Sequence, residues 1–309
     1  MTSKNKAISR VGRGLKKIFS SGNPVATAKN IASSLSLVEQ YKKNGRIPWS
    51  PGYAKFKNMF MIETLADKSL MEVFRQGKPL PEGFGMRLDE RVVECPWAIS
   101  RVKPGPGLLL DAGSVLNTPM FLDAPELSQQ KIIIYSLEMD SVRLDPRLSY
   151  LHGDFREPVL RDGIFDAIVC ISTVEHIGMW PIPKPPYDVT LKMPQPEKDL
   201  FAYRGVMKTF HNLLKPGGRL LLTVPYGKAE DQDWLQIFGA EQIADVKKSF
   251  GGECVSETYY RHAADGWHTA KPEECAELEF FNIVRTPEFG PDFAAAARAV
   301  ACLELVRKA

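Results

Sequence analysis

Five short apolar runs constrain the fold of this 309-residue chain more than any other feature: residues 108–110, 131–137, 150–152, 165–171 and 219–224. Several show no alternation of polar and apolar positions, which is the pattern of strands covered on both faces. The segments between them are long enough for helices, and parallel strands need crossovers of a dozen or more residues, almost always right-handed. The expected fold is therefore α/β: a doubly wound, mostly parallel Rossmann-like sheet. Two later runs, 255–261 and 299–306, add an antiparallel edge hairpin. A helix over 207–214 is stopped by Lys215, Pro216, Gly217 and Gly218, with glycine where a left-handed cap is needed. Upstream, 54–76 repeats apolar residues at helical spacing and forms one or two helices, ended by the Gly and Pro cluster of 77–85. The organisation that follows is a basic N-terminal arm (1–50), a helical N-terminal extension (51–104) and a catalytic-type α/β domain (105–309).

Charge divides the chain unevenly. The arm holds ten Lys or Arg against one acid, Glu39, so it carries +9 of a chain total of +3 and leaves the rest at −6. An acidic body offers no stripe for nucleic acid, so an anionic partner is expected at the arm alone. Within 7–19, Ile8, Val11, Leu15, Ile18 and Phe19 face away from Arg10, Arg13, Lys16 and Lys17. Such an amphipathic basic helix either contacts a membrane surface or partner, or is a solvated tail. No run approaches the roughly 18 apolar residues of a membrane helix, and the start lacks an apolar signal core, so a cytoplasmic, possible membrane-peripheral location is expected. The five cysteines, Cys95, Cys170, Cys254, Cys275 and Cys302, are far apart and not spaced as metal ligands. Reduced thiols and no metal site follow.

In an open parallel sheet, ligands bind at the carboxyl ends of the strands. After the first strand come Asp111, Ala112, Gly113, Ser114, Val115, Leu116 and Asn117, where glycine allows a tight turn. The second ends in Glu138, 25 residues beyond Gly113, where a carboxylate can accept both hydroxyls of a ribose. Asp154 and Phe155 follow the third strand, and Ser172, Thr173, Val174, Glu175 and His176 follow the fourth. Asp166, at the entry to that strand, reads as structural.

The ordered set LLLDAG, IIIYSLE, LHGDF, FDAIVCISTVEHI and LLKPGGRLLLTVP resembles the motifs of class I S-adenosylmethionine-dependent methyltransferases over roughly residues 105–225. The resemblance implies S-adenosylmethionine as cofactor, with Asp111, Gly113, Asn117 and Ser172 lining its site, Glu138 on the ribose, and Asp154 with Phe155 framing the adenine. LDERVVECPWAIS and PYG with YYRHAADGW are similar to a branch associated with bacterial cell-surface polysaccharide and sugar modification. In place of three glycines, the first loop has Gly113, Val115 and Asn117; Asn117 is expected to keep the left-handed turn, and Val115 to crowd the cofactor.

The chemistry implied is methyl transfer to an oxygen of a small or glycan acceptor, sugar O-methylation being favoured. An alcohol must lose its proton, and His176, beside Glu175, is the expected base. Trp180, Tyr187 and six prolines between Gly178 and Lys198 form a stiff wall of the acceptor site or a surface excursion. Arg91, Glu94 and Trp97 either close the opposite side or pack in the core. Tyr226, Asp231, Asp233, Trp234, His262, Asp265, Trp267 and His268 are further candidates. A catalytically silent Rossmann-like module in polysaccharide assembly is the alternative. A nicotinamide oxidoreductase is disfavoured, because GxGxxG is absent.

Overall fold

A computed structural model of the chain describes residues 24–137, 142–179, 198–283, 285–286 and 288–308, with side chains from residue 32 onward. The arm stretch 7–19, Glu138 and most of the Pro-rich segment lie outside the described residues.

The helices before the sheet are α1 (Pro24–Lys43), α2 (Tyr53–Ala66), α3 (Lys68–Gln76) and α4 (Arg91–Arg101). The break between α2 and α3 falls at Asp67, whose extended backbone ends one helix while its carboxylate accepts the amides of Ser69 and Leu70 to start the next. The sheet begins with β1 (Gly107–Ala112) and, after the short helix α5 (Pro119–Leu122), continues as β2 (Gln130–Ser136), β3 (Leu148–His152) and β4 (Phe165–Ile171). Helix α6 (Tyr203–Leu213) leads into β5 (Leu214–Pro225). A small ribbon, β6 (Glu230–Asp231) with β7 (Gln236–Ile237), precedes α7 (Ala240–Phe250), β8 (Glu253–Ala263), β9 (Gly266–Ala270) and β10 (Ala299–Val306).

Strand order is β3-β2-β1-β4-β5-β10-β8-β9. The first five are parallel, as expected, and β10 pairs antiparallel with both β5 and β8. The antiparallel edge is β8 with β9, joined at Gly266, whereas 299–306 is threaded inside the sheet. Seven of its eight residues are buried, which is the signature of an interior strand rather than a half-solvated edge. Helix α6 ends at Leu214 in extended backbone, and the left-handed glycine is Gly217, three residues later, whose amide bonds Arg307 O.

Alternate side chains of each strand feed two apolar layers. Leu109, Ile132, Val169, Leu221 and Cys302 meet α2, α3 and α4 on one face. Leu110, Ile168, Cys170, Leu222 and Leu303 meet α6 and α7 on the other. Trp97 of α4 is fully buried in the first layer, so the 51–104 helices share a core with the sheet. Asp166 accepts Leu108 N at 2.9 Å and Lys215 Nζ at 2.7 Å, bracing strands at the edge opposite the carboxyl ends. Among the described residues no helix is long and apolar enough to cross a membrane, and no group of three His, Cys, Asp or Glu could hold a metal ion.

Candidate active site

The order of strands reverses between β1 and β4, and the carboxyl ends of these two neighbours carry the loops singled out in the sequence. Asp111, 1% exposed, pairs in register with Val169 of β4, and its Oδ2 accepts Leu116 N at 2.8 Å, closing the loop on itself. The loop turns through two left-handed residues in succession, Gly113 (φ 110°) and Ser114 (φ 68°). Asn117 is not left-handed, contrary to expectation. Its Oδ1 accepts Tyr150 Oη–H at 2.9 Å and its carbonyl accepts Arg143 Nε, so it ties the loop to β3 and to the segment after β2. Val115 is half-buried against the apolar layer beneath α2–α4.

Glycine at 113 has a definite cause. A Cβ there would lie 2.1 Å from Thr173 Oγ1, and that hydroxyl donates toward Ala112 O at 3.0 Å. The space a side chain would occupy is taken by the turn after β4. The loop and the turn are thereby locked together.

That turn begins with Ser172, held at φ 41°, and passes through a single 3-10 turn, Val174–His176. Glu175 is buried, its Oε2 has no hydrogen-bond partner among the described residues, and burial, aided by the Glu94 carboxylate, pushes its carboxyl up to about 8. It keeps its proton at neutral pH and is unsuited to act as a base there. His176 lies over Trp234, with ring centroids 5.4 Å apart at 22°, and its Nδ1 is 2.7 Å from Trp234 O. A carbonyl only accepts, so Nδ1 carries the proton and Nε2 keeps its lone pair. Burial lowers the His176 pKa below the ordinary histidine value, with the nearby Arg91 guanidinium acting in the same direction. His176 is therefore a neutral imidazole with its acceptor nitrogen free among the described residues.

Asp154 and Phe155 behave differently from the expectation. Arg156 grips both Asp154 oxygens, at 2.9 and 2.6 Å on Oδ2, and holds the carboxyl below its usual range. Phe155 is buried between Tyr135 (4.6 Å between centroids) and Phe210 (5.1 Å), so its ring is core rather than an adenine platform. Trp234, Glu94 and Arg91 join the site. Tyr226 and Trp267 are buried in packing, Asp265 and His268 pair at the exposed hairpin turn, and Asp231 and Asp233 both bind Lys198. His262 is buried on β8, with neither ring nitrogen bonded among the described residues. The two ends of the Pro-rich segment meet beside His176: Asp199 N donates to Gly178 O at 3.0 Å, and Gly178 (φ 80°) has no room for a Cβ.

Two buried hydroxyls in and just after the first loop, Ser114 Oγ and Thr118 Oγ1, lack hydrogen-bond partners among the described residues. An unsatisfied buried polar group costs about 1–3 kcal/mol, so a polar ligand fits this loop better than an apolar one.

No protein-family model matches the chain, and no curated protein does. Among solved structures it is similar to the 1,6-didemethyltoxoflavin-N1-methyltransferase of Burkholderia thailandensis, at 12% identity over 69% of this chain and 77% of that one, TM-score 0.43. It is also similar to phosphoethanolamine N-methyltransferase 2 of Haemonchus contortus, at 13% identity over 82% of this chain and 60% of that one, TM-score 0.44. The [4+2]-cyclase SpnF is similar at 15% identity over 85% and 98%, TM-score 0.44. These likenesses are distant, and the fold is assigned from the strand order itself.

Proposed function

We propose that this chain is an S-adenosylmethionine-dependent methyltransferase acting on an oxygen of a small or glycan acceptor. The observation that supports this most is the meeting, at the switch in strand order, of the Asp111–Asn117 loop with the turn that presents a neutral His176. Bound S-adenosylmethionine supplies an electrophilic methyl group. Asp111 and Ser114 shape the loop that would hold it, and Glu138, after β2, is proposed to accept its ribose hydroxyls.

The residues of the chain then have two tasks. Trp234 fixes the tautomer of His176, and His176 Nε2 accepts the proton of the acceptor hydroxyl as that oxygen attacks, typically a 10²- to 10⁴-fold effect. Alignment is the larger contribution, since good orientation can be worth about 7–11 kcal/mol. The half-buried indole of Trp234, stacked on the base, gives the acceptor side an aromatic wall, suited to a sugar ring. Polysaccharide or sugar modification is thus the favoured setting.

Incubation of the protein with S-adenosylmethionine and a panel of sugar nucleotides and glycans, read by mass spectrometry, tests the proposal. A gain of one methyl on a hydroxyl is expected. Methylation confined to amines would refute the oxygen acceptor. The alternative, a catalytically silent module in polysaccharide assembly, predicts binding of glycan without any methyl gain.

A further inference from the structure

Glu94 lies at 0% exposure on α4, yet it reaches the end of β4, which frames the site, and the end of its neighbour β5. Its Oε1 accepts Ser172 Oγ–H at 2.6 Å and Thr223 Oγ1–H at 2.8 Å, and its Oε2 accepts from Arg91 Nη1. Ser172 N in turn donates to Thr223 O at 3.0 Å. One carboxylate therefore joins the N-terminal helices to the ends of β4 and β5. A buried charge is costly unless it is paired and hydrogen-bonded, and its neighbours on α4, Val93, Trp97 and Ile99, cover the sheet without one. What the carboxylate adds over an apolar side chain is direction: it fixes a hydroxyl on a residue held in the left-handed region, where a non-glycine residue is strained.

We propose that Glu94 is a positioning residue, which through Ser172 fixes the turn that carries His176. The inference rests on His176 being the base of the site. Transmission is short. With Ser172 fixed, Thr173 packs against Gly113, His176 N donates to Thr173 O at 3.1 Å, and the imidazole reaches Trp234 O. The charged group that acts on the ring is Arg91 of α4, itself paired with Glu94. The sequence suggests for Glu94 only a wall of the acceptor site or a place in the core, because the bond to Ser172 spans 78 residues.

The test needs no acceptor. The chain has five histidines, and their titration can be followed one by one by NMR in the full-length protein. His262, on β8, is also depressed by burial, to about 4, and has no bond to this network. It reports on the integrity of the fold. In Glu94→Ala and in Ser172→Ala, the midpoint of His176 should rise toward 6.5 by about half a pH unit or more, while His262 stays in place. Loss of the Glu94 charge alone cannot raise His176, since removing an anion at any distance disfavours the imidazolium. Ser172→Ala is neutral and keeps the Arg91 pair, so it decides the matter if Glu94→Ala fails to fold. An unmoved or lowered His176 overturns the proposal, as does a rise shared with His262, which would make Glu94 a support of the fold only. Failure of the wild-type protein to bind S-adenosylhomocysteine would sink the methyltransferase reading and leave this titration unaffected.

Discussion

His176 and Glu175 are adjacent in the chain and both are affected by burial, yet the consequences are opposite. Desolvation favours the neutral form of each, which makes the histidine a free base and the glutamate a held acid. For His176→Ala, turnover is expected to fall 10²- to 10⁴-fold with S-adenosylhomocysteine affinity nearly intact; unchanged turnover would remove the proposed base. In the wild type the rate should hold through neutral pH and fall only as pH drops through the lowered His176 value. Glu175 makes a prediction about stability. Its folded pKa, about 8, lies above the ordinary 4.5, so the folded state is favoured below 4.5 and loses stability as pH rises from there to 8. Glu175→Gln should remove that dependence and unfold at higher denaturant concentration than the wild type at pH 8, by on the order of 4 kcal/mol, but not at pH 4. An equal effect at both pH values would contradict the assignment of a held proton.

At the level of elements, the strands were legible because burial on both faces writes itself into composition: β4 was read over the residues it occupies, and 299–306 likewise. Where 299–306 sits was not legible, since apolar runs give length and burial but not partner. The site was legible in part. Asp111, Ser172 and His176 lie on loops that strand order alone brings together. The roles of Phe155 and Asn117 were not, because a core aromatic and a stacking one are the same residue type, and the left-handed position is set by a loop whose register only the structure gives. Gly113→Ala carries the element-scale prediction. With φ at 110° and a Cβ driven into Thr173, the first loop and the β4 turn must part. Destabilisation by more than about 2 kcal/mol is expected in chemical denaturation, and a Gly113→Ala protein of wild-type stability would show the two loops to be independent.

On the scale of the whole molecule, α2–α4 are continuous with the sheet through one apolar layer that holds Trp97, Tyr260 and Trp267 together. Helical extension and sheet should therefore unfold as one cooperative unit. Trp97→Ala is expected to cost about 3–5 kcal/mol and to lower the single midpoint; two separated transitions would contradict a shared core. The central claim concerns what the carboxyl edge of this sheet binds. Calorimetry of the full chain with S-adenosylhomocysteine, and with NAD as comparison, reads it directly. The account predicts micromolar binding of S-adenosylhomocysteine, none of NAD, and a loss of about 1–3 kcal/mol in Glu138→Ala. Binding of NAD instead, or of neither compound, would contradict it.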